Sequence, residues 1–247
     1  MDYETIVPQN LAQVRARIGE AALRVGREPD AVRLVAVSKM FPVPAVMAAW
    51  RAGQRDFGEN RPREGAEKVT MVAAMMESDQ PTWHMIGHIQ SRNTRWVVHR
   101  FDYVHSVDRL KLARKMSQMI ADLEAPEMPI LLECNVSGEA SKHGYDVAGW
   151  MEEVGVREAF FGEVEAVLAL DGLRVEGLMT MAPIADDPEA VRPVFASLHS
   201  LLEALRERFP DVTWQHLSMG MTDDFEVAVE EGSTFVRVGR GVFGPRP

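Results

Sequence analysis

The stretch "LVAVSKMFP", Leu34 to Pro42, places a lysine at the end of an apolar run. A short apolar run that is bounded by turn residues is typical of a strand buried on both faces, as in a parallel sheet. Lysine is among the residues least often fully buried. Lys39 therefore marks the point at which a core strand is expected to reach solvent.

Runs of the same kind recur along the chain. They are rich in Val, Ile, Leu and aromatic residues, and they predict eight strands at residues 33–38, 55–58, 83–87, 103–107, 129–136, 175–180, 214–220 and 234–239. Segments with helical spacing lie between them, most clearly at 187–209, where Asp187 and Pro188 supply a start signal, and at 108–123, where Asp108 is the expected N-cap.

Alternating strands and helices imply parallel strands that are joined by right-handed crossovers. Eight such units in 247 residues are typical of a closed barrel. A doubly wound open sheet is the competitor, but the first strand is not followed by the Gly-x-Gly-x-x-Gly pattern of dinucleotide-binding folds. We predict one α/β domain over residues 1–247, a (β/α)8 TIM barrel with an additional N-terminal helix from residues 11–26 covering the flank left by a missing final helix.

Composition excludes several classes of function. The net charge is −10 and the arginines are scattered, so no nucleic-acid footprint is visible. Cys134 is the only cysteine, which rules out an intrachain disulfide and a cysteine-based metal cluster and favours the cytoplasm. The longest uncharged apolar run, residues 71–76, is far too short to span a membrane, and no export signal is expected.

In a barrel of this kind functional residues lie at the carboxyl ends of the strands. Lys39 occupies such an end, where apolar neighbours disfavour the ammonium and favour the neutral amine that forms Schiff bases. The alternative is a lysine that begins a solvated loop.

Two glycine turns, "SMGM" at 218–221 and "VGRG" at 238–241, follow strands seven and eight, where barrels often bind phosphate. Ser218, Gly220 and Gly239 are the candidate contacts, although each glycine could only relieve turn strain.

A ligand with both a carbonyl and a phosphate fits this combination. Pyridoxal 5'-phosphate (PLP) is the first candidate, and a phosphosugar that reacts with an aldolase is the alternative. Arg237, on the eighth strand, could donate to a pyridine nitrogen and keep it unprotonated, or it could form a surface ion pair. Asn60 closes the second strand and could contact a ring substituent, cap a helix, or do both.

The pair His84 and His88 has helical metal-ligand spacing, but the surrounding residues are typical of a strand that enters a loop. No third ligand is evident, so no metal site is predicted. His84 is expected in the core and His88 in a loop at the barrel mouth.

Seven motifs occur in order over nearly the whole chain: "LVAVSK", "FGEN", "WHMIGHIQS", "SVDR", "NVSGEASKHG", "EGLMTMAP" and "LSMGMTDDFEVAVEEGSTFVRVGRGVFG". Together they resemble the pyridoxal-phosphate homeostasis protein family. The resemblance implies a barrel like the N-terminal domain of alanine racemase, with PLP held on Lys39 as an internal aldimine. It implies that Asn60 contacts the cofactor, that Ser218, Gly220 and Gly239 bind its phosphate, and that Arg237 meets the pyridine nitrogen.

The chain departs from the usual family pattern at three places. Arg61 and Pro62 stand where a tyrosine commonly follows "FGEN", and Arg92-Asn93 replaces Asn-Lys. Arg240 replaces a threonine that contacts phosphate, so its side chain either binds phosphate by charge or points away.

The resemblance also implies a vitamin B6 carrier or regulator without clear turnover, whose partners are PLP and PLP-dependent apoenzymes. The alternative is an amino-acid racemase, which would need a second base opposite the lysine. The tyrosines are Tyr3, Tyr103 and Tyr145, and none is expected on an added domain. We therefore expect a cofactor-binding protein that is monomeric.

Overall fold

The computed structural model describes residues 2–76 and 78–245, and within them parallel strands close into a barrel. The barrel is formed by β1 (Arg33–Val37), β2 (Asp56–Glu59), β3 (Thr82–Met85), β4 (Tyr103–Val107), β5 (Met128–Asn135), β7 (Leu173–Met179), β8 (His216–Ser218) and β9 (Phe235–Val238). Pairing of β1 with β9 and of β4 with β5 leaves no open edge in this ring. The predicted TIM barrel is confirmed, and the open sheet is wrong.

Each of the eight predicted strands overlaps one barrel strand. The remaining strand, β6 (Tyr145–Asp146), has two residues and pairs with β5 beside the ring. So short a strand has no periodicity of its own, which is why the sequence pattern did not indicate it.

The helices lie outside the barrel. They are α1 (Tyr3–Arg24), α2 (Val43–Arg51), α3 (Pro62–Ala73), α4 (Leu110–Asp122), α5 (Val154–Leu168), α6 (Arg192–Arg208), α7 (Phe225–Glu230) and α8 (Arg240–Phe243). A 3-10 turn at Pro188–Val191 precedes α6, and Asp187 caps it by accepting from the N–H of Glu189 at 3.0 Å. The expected Asp108 cap is wrong, because the N-cap of α4 is Arg109 and the Asp108 carboxylate is engaged elsewhere.

Helix α1 covers the flank next to the short last helix. It packs against α2, α7 and α8, and the Asn10 side chain donates to the Val242 carbonyl at 3.0 Å. Helix α8 has only four residues, and α1 packs directly against it. This confirms the predicted role of the N-terminal helix. Over residues 2–76 and 78–245, no helix combines the length and apolar character needed to cross a bilayer.

Apolar side chains fill two separate spaces. The larger core lies between the strands and the helices. The smaller one lies inside the barrel and is formed by five buried residues: Val35, Tyr103, Leu131, Met179 and Phe235. The division matters for the site, because polar side chains share the barrel interior with this second cluster.

Gly177 lies where the backbones of β7 and β8 approach each other closely. A Cβ at Gly177 would lie 1.9 Å from the His216 carbonyl oxygen, whereas a Cβ at Gly162 on α5 meets nothing within 4 Å. We expect Gly177→Ala to lower the free energy of unfolding by about 3 kcal/mol or more through overpacking. The control Gly162→Ala should raise it by about 0.5–1 kcal/mol, because alanine favours a helix interior. Urea unfolding followed by circular dichroism measures both; equal stabilities would contradict the close approach.

Candidate functional site

The predicted site residues follow four neighbouring strands. In the barrel order β2, β1, β9, β8, the strands end next to Asn60, Lys39, Gly239 and Gly220. A Cβ on Gly239 would lie 3.3 Å from the Val37 carbonyl, and the N–H of Arg237 donates to the Gly220 carbonyl at 3.0 Å. Residues from opposite ends of the chain therefore share one segment of the barrel rim.

Lys39 lies in a tight turn at the end of β1. The N–H of Phe41 donates to the Ser38 carbonyl at 3.0 Å, which closes the turn around the lysine. Met40 has a φ of 66°, in the left-handed region that non-glycine residues seldom occupy. Such strain is tolerated where the surroundings fix the backbone. Lys39 itself is half-buried at the mouth.

A second lysine supports this turn from below. The Lys68 ammonium on α3 donates to the Ser38 carbonyl at 2.7 Å and to the Glu59 carboxylate at 2.6 Å. The Ser38 hydroxyl donates to the same carboxylate oxygen at 2.6 Å. Burial raises the pKa of Glu59, and the adjacent Lys68 charge opposes that rise. This buried ion pair fixes the backbone that carries Lys39 to the end of β2.

Asn60 presents a buried polar atom to the site. Its Oδ1 has no hydrogen-bond partner among the described residues, and the N-cap of α3 is Arg61 instead. Gly87 holds the next loop against Asn60, since a Cβ at Gly87 would lie 2.1 Å from the Asn60 carbonyl oxygen. A buried amide oxygen without a partner is costly unless a ligand or water satisfies it.

The two glycine turns precede two helices. Gly220 has a φ of 92°, and a Cβ there would approach the Ala228 side chain to 2.6 Å, so the turn packs directly on α7. Gly239 is the N-cap of α8, whose first N–H groups have no acceptor within the helix. Such N–H groups can bind a phosphate.

Arg240 extends away from its helix. Its guanidinium lies 2.5 Å from the Asp223 carboxylate, and 60% of the side chain is exposed. An exposed pair of this kind contributes little to stability. The arginine that replaces the usual threonine is therefore engaged by a neighbouring acid, while its backbone N–H lies at the start of α8.

Arg237 is buried inside the barrel, with a relative exposure of 4%. Its guanidinium donates to the Ser218 hydroxyl at 2.6 Å and to the Thr180 carbonyl at 2.8 Å. Burial lowers its pKa to about 10, while the negative charges of Asp224 and Glu133 oppose the fall. The guanidinium thus remains charged at neutral pH, and the surface ion pair considered for Arg237 is wrong.

A chain of hydrogen bonds crosses the barrel interior from Arg237. Ser218 Oγ lies 2.8 Å from His105 Nδ1, and His105 Nε2 lies 2.9 Å from His84 Nδ1. His84 Nε2 lies 2.8 Å from the carboxylate of Asp56, at the first residue of β2. His84 is fully buried, as expected of a core residue. The chain joins the mouth of the barrel to its opposite end.

The groups at the two ends determine which atom donates in each of these hydrogen bonds. Asp56 can only accept, because the His84 bond and the charge of Arg33 keep its pKa low although burial acts to raise it. Burial lowers the pKa of His84 and that of His105, so both rings are neutral. Each neutral ring donates once and accepts once. Every proton in the chain therefore points away from Arg237 and toward Asp56.

Comparisons with known proteins place the chain in a family. Residues 9–247 match the model described as "Alanine racemase, N-terminal domain". A "Pyridoxal phosphate homeostasis protein" of Pseudomonas aeruginosa is 42% identical over 243 residues, which cover 97% of this chain and 96% of that protein. The protein of that name from Escherichia coli K12 is 38% identical over 242 residues, 97% of each chain. The chain belongs to the pyridoxal phosphate homeostasis protein family.

Solved structures agree with this membership. PipY of Synechococcus elongatus, determined with PLP bound, superposes with a TM-score of 0.80 at 30% identity, covering 96% of this chain and 100% of that chain. Alanine racemase of Clostridium difficile superposes with a TM-score of 0.69 at 13% identity, over 97% of this chain and 57% of that chain. The second similarity shows the fold alone.

Sequence reasoning missed the polar residues that support the site. Lys68 holds the turn, Thr180 accepts from the guanidinium, and His105 holds Ser218. Lys68 lies within α3 and His105 within β4, while Thr180 directly follows β7 and contributes only its backbone carbonyl. His105 could have been identified from its position within "YVHSV", where a polar ring lies in a strand of otherwise buried residues. Its partners come from other strands and were not visible in the sequence.

His105 predicts a pH-dependent contribution to stability. Burial holds its pKa well below 6.5, so the unfolded chain takes up a proton here as the pH falls through 6.5 while the folded chain does not. The stabilisation is therefore complete above that pH and is lost below it, by about 1.4 kcal/mol per pH unit. We expect the stability difference between wild type and His105→Asn to shrink by about this amount between pH 7.5 and pH 5.5.

Urea unfolding at the two pH values measures this difference. The exposed Gln13 on α1 provides the control because its amide does not titrate, and Gln13→Asn should differ from wild type by the same amount at both pH values. A His105→Asn difference that does not change with pH would contradict the neutral, buried ring.

Proposed function

We propose that this protein binds PLP through Lys39 and acts in intracellular PLP homeostasis as a carrier or regulator. The observation that carries the proposal is the set of strand ends around Lys39, with Asn60 on one side and the two glycine turns on the other, in a chain 30% identical to a protein determined with PLP bound. The family membership supports the same assignment.

The residues present fit this cofactor. The side-chain amide of Asn60, whose Oδ1 has no hydrogen-bond partner among the described residues, can form a hydrogen bond with a polar substituent of the PLP ring. It can accept through its oxygen or, if the oxygen and nitrogen of the amide are exchanged, donate through its NH2 group. The backbone N–H groups of Gly220, Gly239 and Arg240 are the proposed donors to its phosphate. The Ser218 hydroxyl donates its proton to His105 instead, so its proposed role is to hold Arg237 beside the cofactor. Arg240 would contribute its backbone, because Asp223 engages its guanidinium.

Bound PLP supplies an aldehyde that condenses reversibly with a primary amine, forming a C=N bond and releasing water. The proposed role of Lys39 is to supply that amine from a turn that Glu59 and Lys68 fix. The proposed role of Arg237 is to donate to the pyridine nitrogen. With a pKa of about 10 the guanidinium donates a hydrogen bond at neutral pH but does not give up its proton, and the neutral histidines behind it do not supply one.

This arrangement favours holding the cofactor over using it. A pyridine nitrogen that stays unprotonated withdraws few electrons from a bound amino acid. A racemase also needs a second base, and burial raises the pKa of both Tyr103 and Tyr145. The Tyr103 hydroxyl is moreover engaged by Glu176. Both tyrosines therefore resist deprotonation, and a tyrosine must be deprotonated before it can act as the base.

Lys39→Ala tests the covalent attachment. The wild-type protein, incubated with PLP and reduced with borohydride, should gain one covalent adduct by intact-mass spectrometry. Lys39→Ala should gain none, because the amine is gone, and its visible PLP absorbance should disappear. Lys115→Ala, on the exposed side of α4, is the control and should behave as wild type. An undiminished adduct in Lys39→Ala would refute the assignment.

The racemase alternative gives a separate prediction. With PLP and L-alanine, the protein should exchange enantiomers no faster than free PLP, as measured by chiral chromatography. Steady turnover that Lys39→Ala abolishes would instead establish an enzyme and overturn the carrier.

Delivery to PLP-dependent apoenzymes and a monomeric state belong to the same proposal. Transfer is measured as the recovery of activity when a PLP-loaded sample meets an apoenzyme, with an equal amount of free PLP as the reference. Light scattering measures the mass in solution. The expected location of the protein in the cytoplasm and its single-domain organisation stay predictions.

A further inference from the structure

A second cluster of chemically reactive side chains lies on the opposite part of the rim. His88 follows β3, Asp108 follows β4 and His143 follows β5, and these three strands are neighbours in the barrel. One ligand atom from each residue lies within 4.8 Å of the other two. We propose that His88, Asp108 and His143 bind a divalent transition-metal cation such as Zn²⁺.

The contact between His88 and Asp108 is not that of an ordinary hydrogen bond. His88 Nδ1 lies 2.8 Å from Asp108 Oδ2, yet this buried nitrogen has no aligned hydrogen-bond partner among the described residues. No hydrogen bond of ordinary geometry therefore accounts for this close approach. A cation that accepts both lone pairs explains this approach.

The surrounding residues fix two of the three ligands. Arg109 pairs with the other oxygen, Asp108 Oδ1, and is itself anchored on the Ile89 carbonyl at 3.0 Å. Such an outer contact is common for carboxylates that bind metals, because it orients the free oxygen. The His88 ring stacks on the His143 ring with 4.0 Å between centroids, so the in-plane lone pairs of the two rings run side by side until His143 rotates.

The loop that carries His143 is also held in place. Gly144 has a φ of 119°, and a Cβ there would lie 2.8 Å from the Glu133 carbonyl oxygen, so the loop returns tightly to β5. His143 is exposed and can turn its ring toward the other two ligands. Two imidazoles and one carboxylate form a ligand set that suits Zn²⁺ and leaves a fourth position open.

The charges nearby favour a cation. Glu133 is 2% exposed and its Oε2 has no partner among the described residues. Glu133 lies near the end of β5, the strand that leads into the loop carrying His143, so an unpartnered carboxylate oxygen lies on one of the three strands that bring the ligands together.

The test uses full-length, untagged protein that has been treated with a chelator and contains no PLP. Isothermal titration with Zn²⁺ should give one site per chain, and Co²⁺ should produce a visible absorbance that Zn²⁺ removes. His143→Ala, in an exposed loop, and Asp108→Asn should each weaken Zn²⁺ binding by about 100-fold or more, because each removes a ligand. His199→Ala, distant on α6, should leave the site intact.

This inference is independent of the proposed function, and Lys39→Ala should bind Zn²⁺ as wild type does. The absence of a one-to-one site would overturn it. So would binding that survives His143→Ala, or binding that His199→Ala weakens equally.

Discussion

The burial of one permanent charge organises the interior of this barrel. Removing a guanidinium from water costs several kcal/mol unless its N–H groups find partners. Arg237 finds them in Ser218 and in the Thr180 carbonyl, and Ser218 in turn leads to the buried histidines. These residues come from four different strands or strand ends, so satisfying one side chain also fixes their positions relative to one another.

Much of the fold could be predicted from the sequence, because the signals involved are local. Apolar runs mark the eight barrel strands, and the helical spacing of apolar residues before the first strand marks the leading helix. The closure of the ring could not be seen locally, since β1 pairs with β9 across about 200 residues. Asp108 failed as a cap for a related reason: its carboxylate pairs with Arg109, which is itself anchored on the Ile89 carbonyl of another loop.

Part of the candidate site could likewise be predicted from the sequence, and part could not. Lys39, Asn60 and the two glycine turns were predicted because each ends a strand, and barrel topology brings strand ends together. Glu59 and Lys68 were missed, because their importance depends on a buried contact between β2 and α3. The polar residues within strands were missed for the same reason. The sequence of one strand indicates which of its residues share a face, but it does not identify the side chains that they meet across the barrel.

The single direction of the chain from Arg237 to Asp56 has an electrical consequence. Every donor in it lies toward the guanidinium and every acceptor toward the carboxylate, so the bond dipoles add, as they do along an α-helix. The negative ends of these dipoles face the Arg237 guanidinium and the positive ends face the Asp56 carboxylate. The aligned groups therefore stabilise the buried cation as oriented water molecules would, although its surroundings hold no bulk solvent.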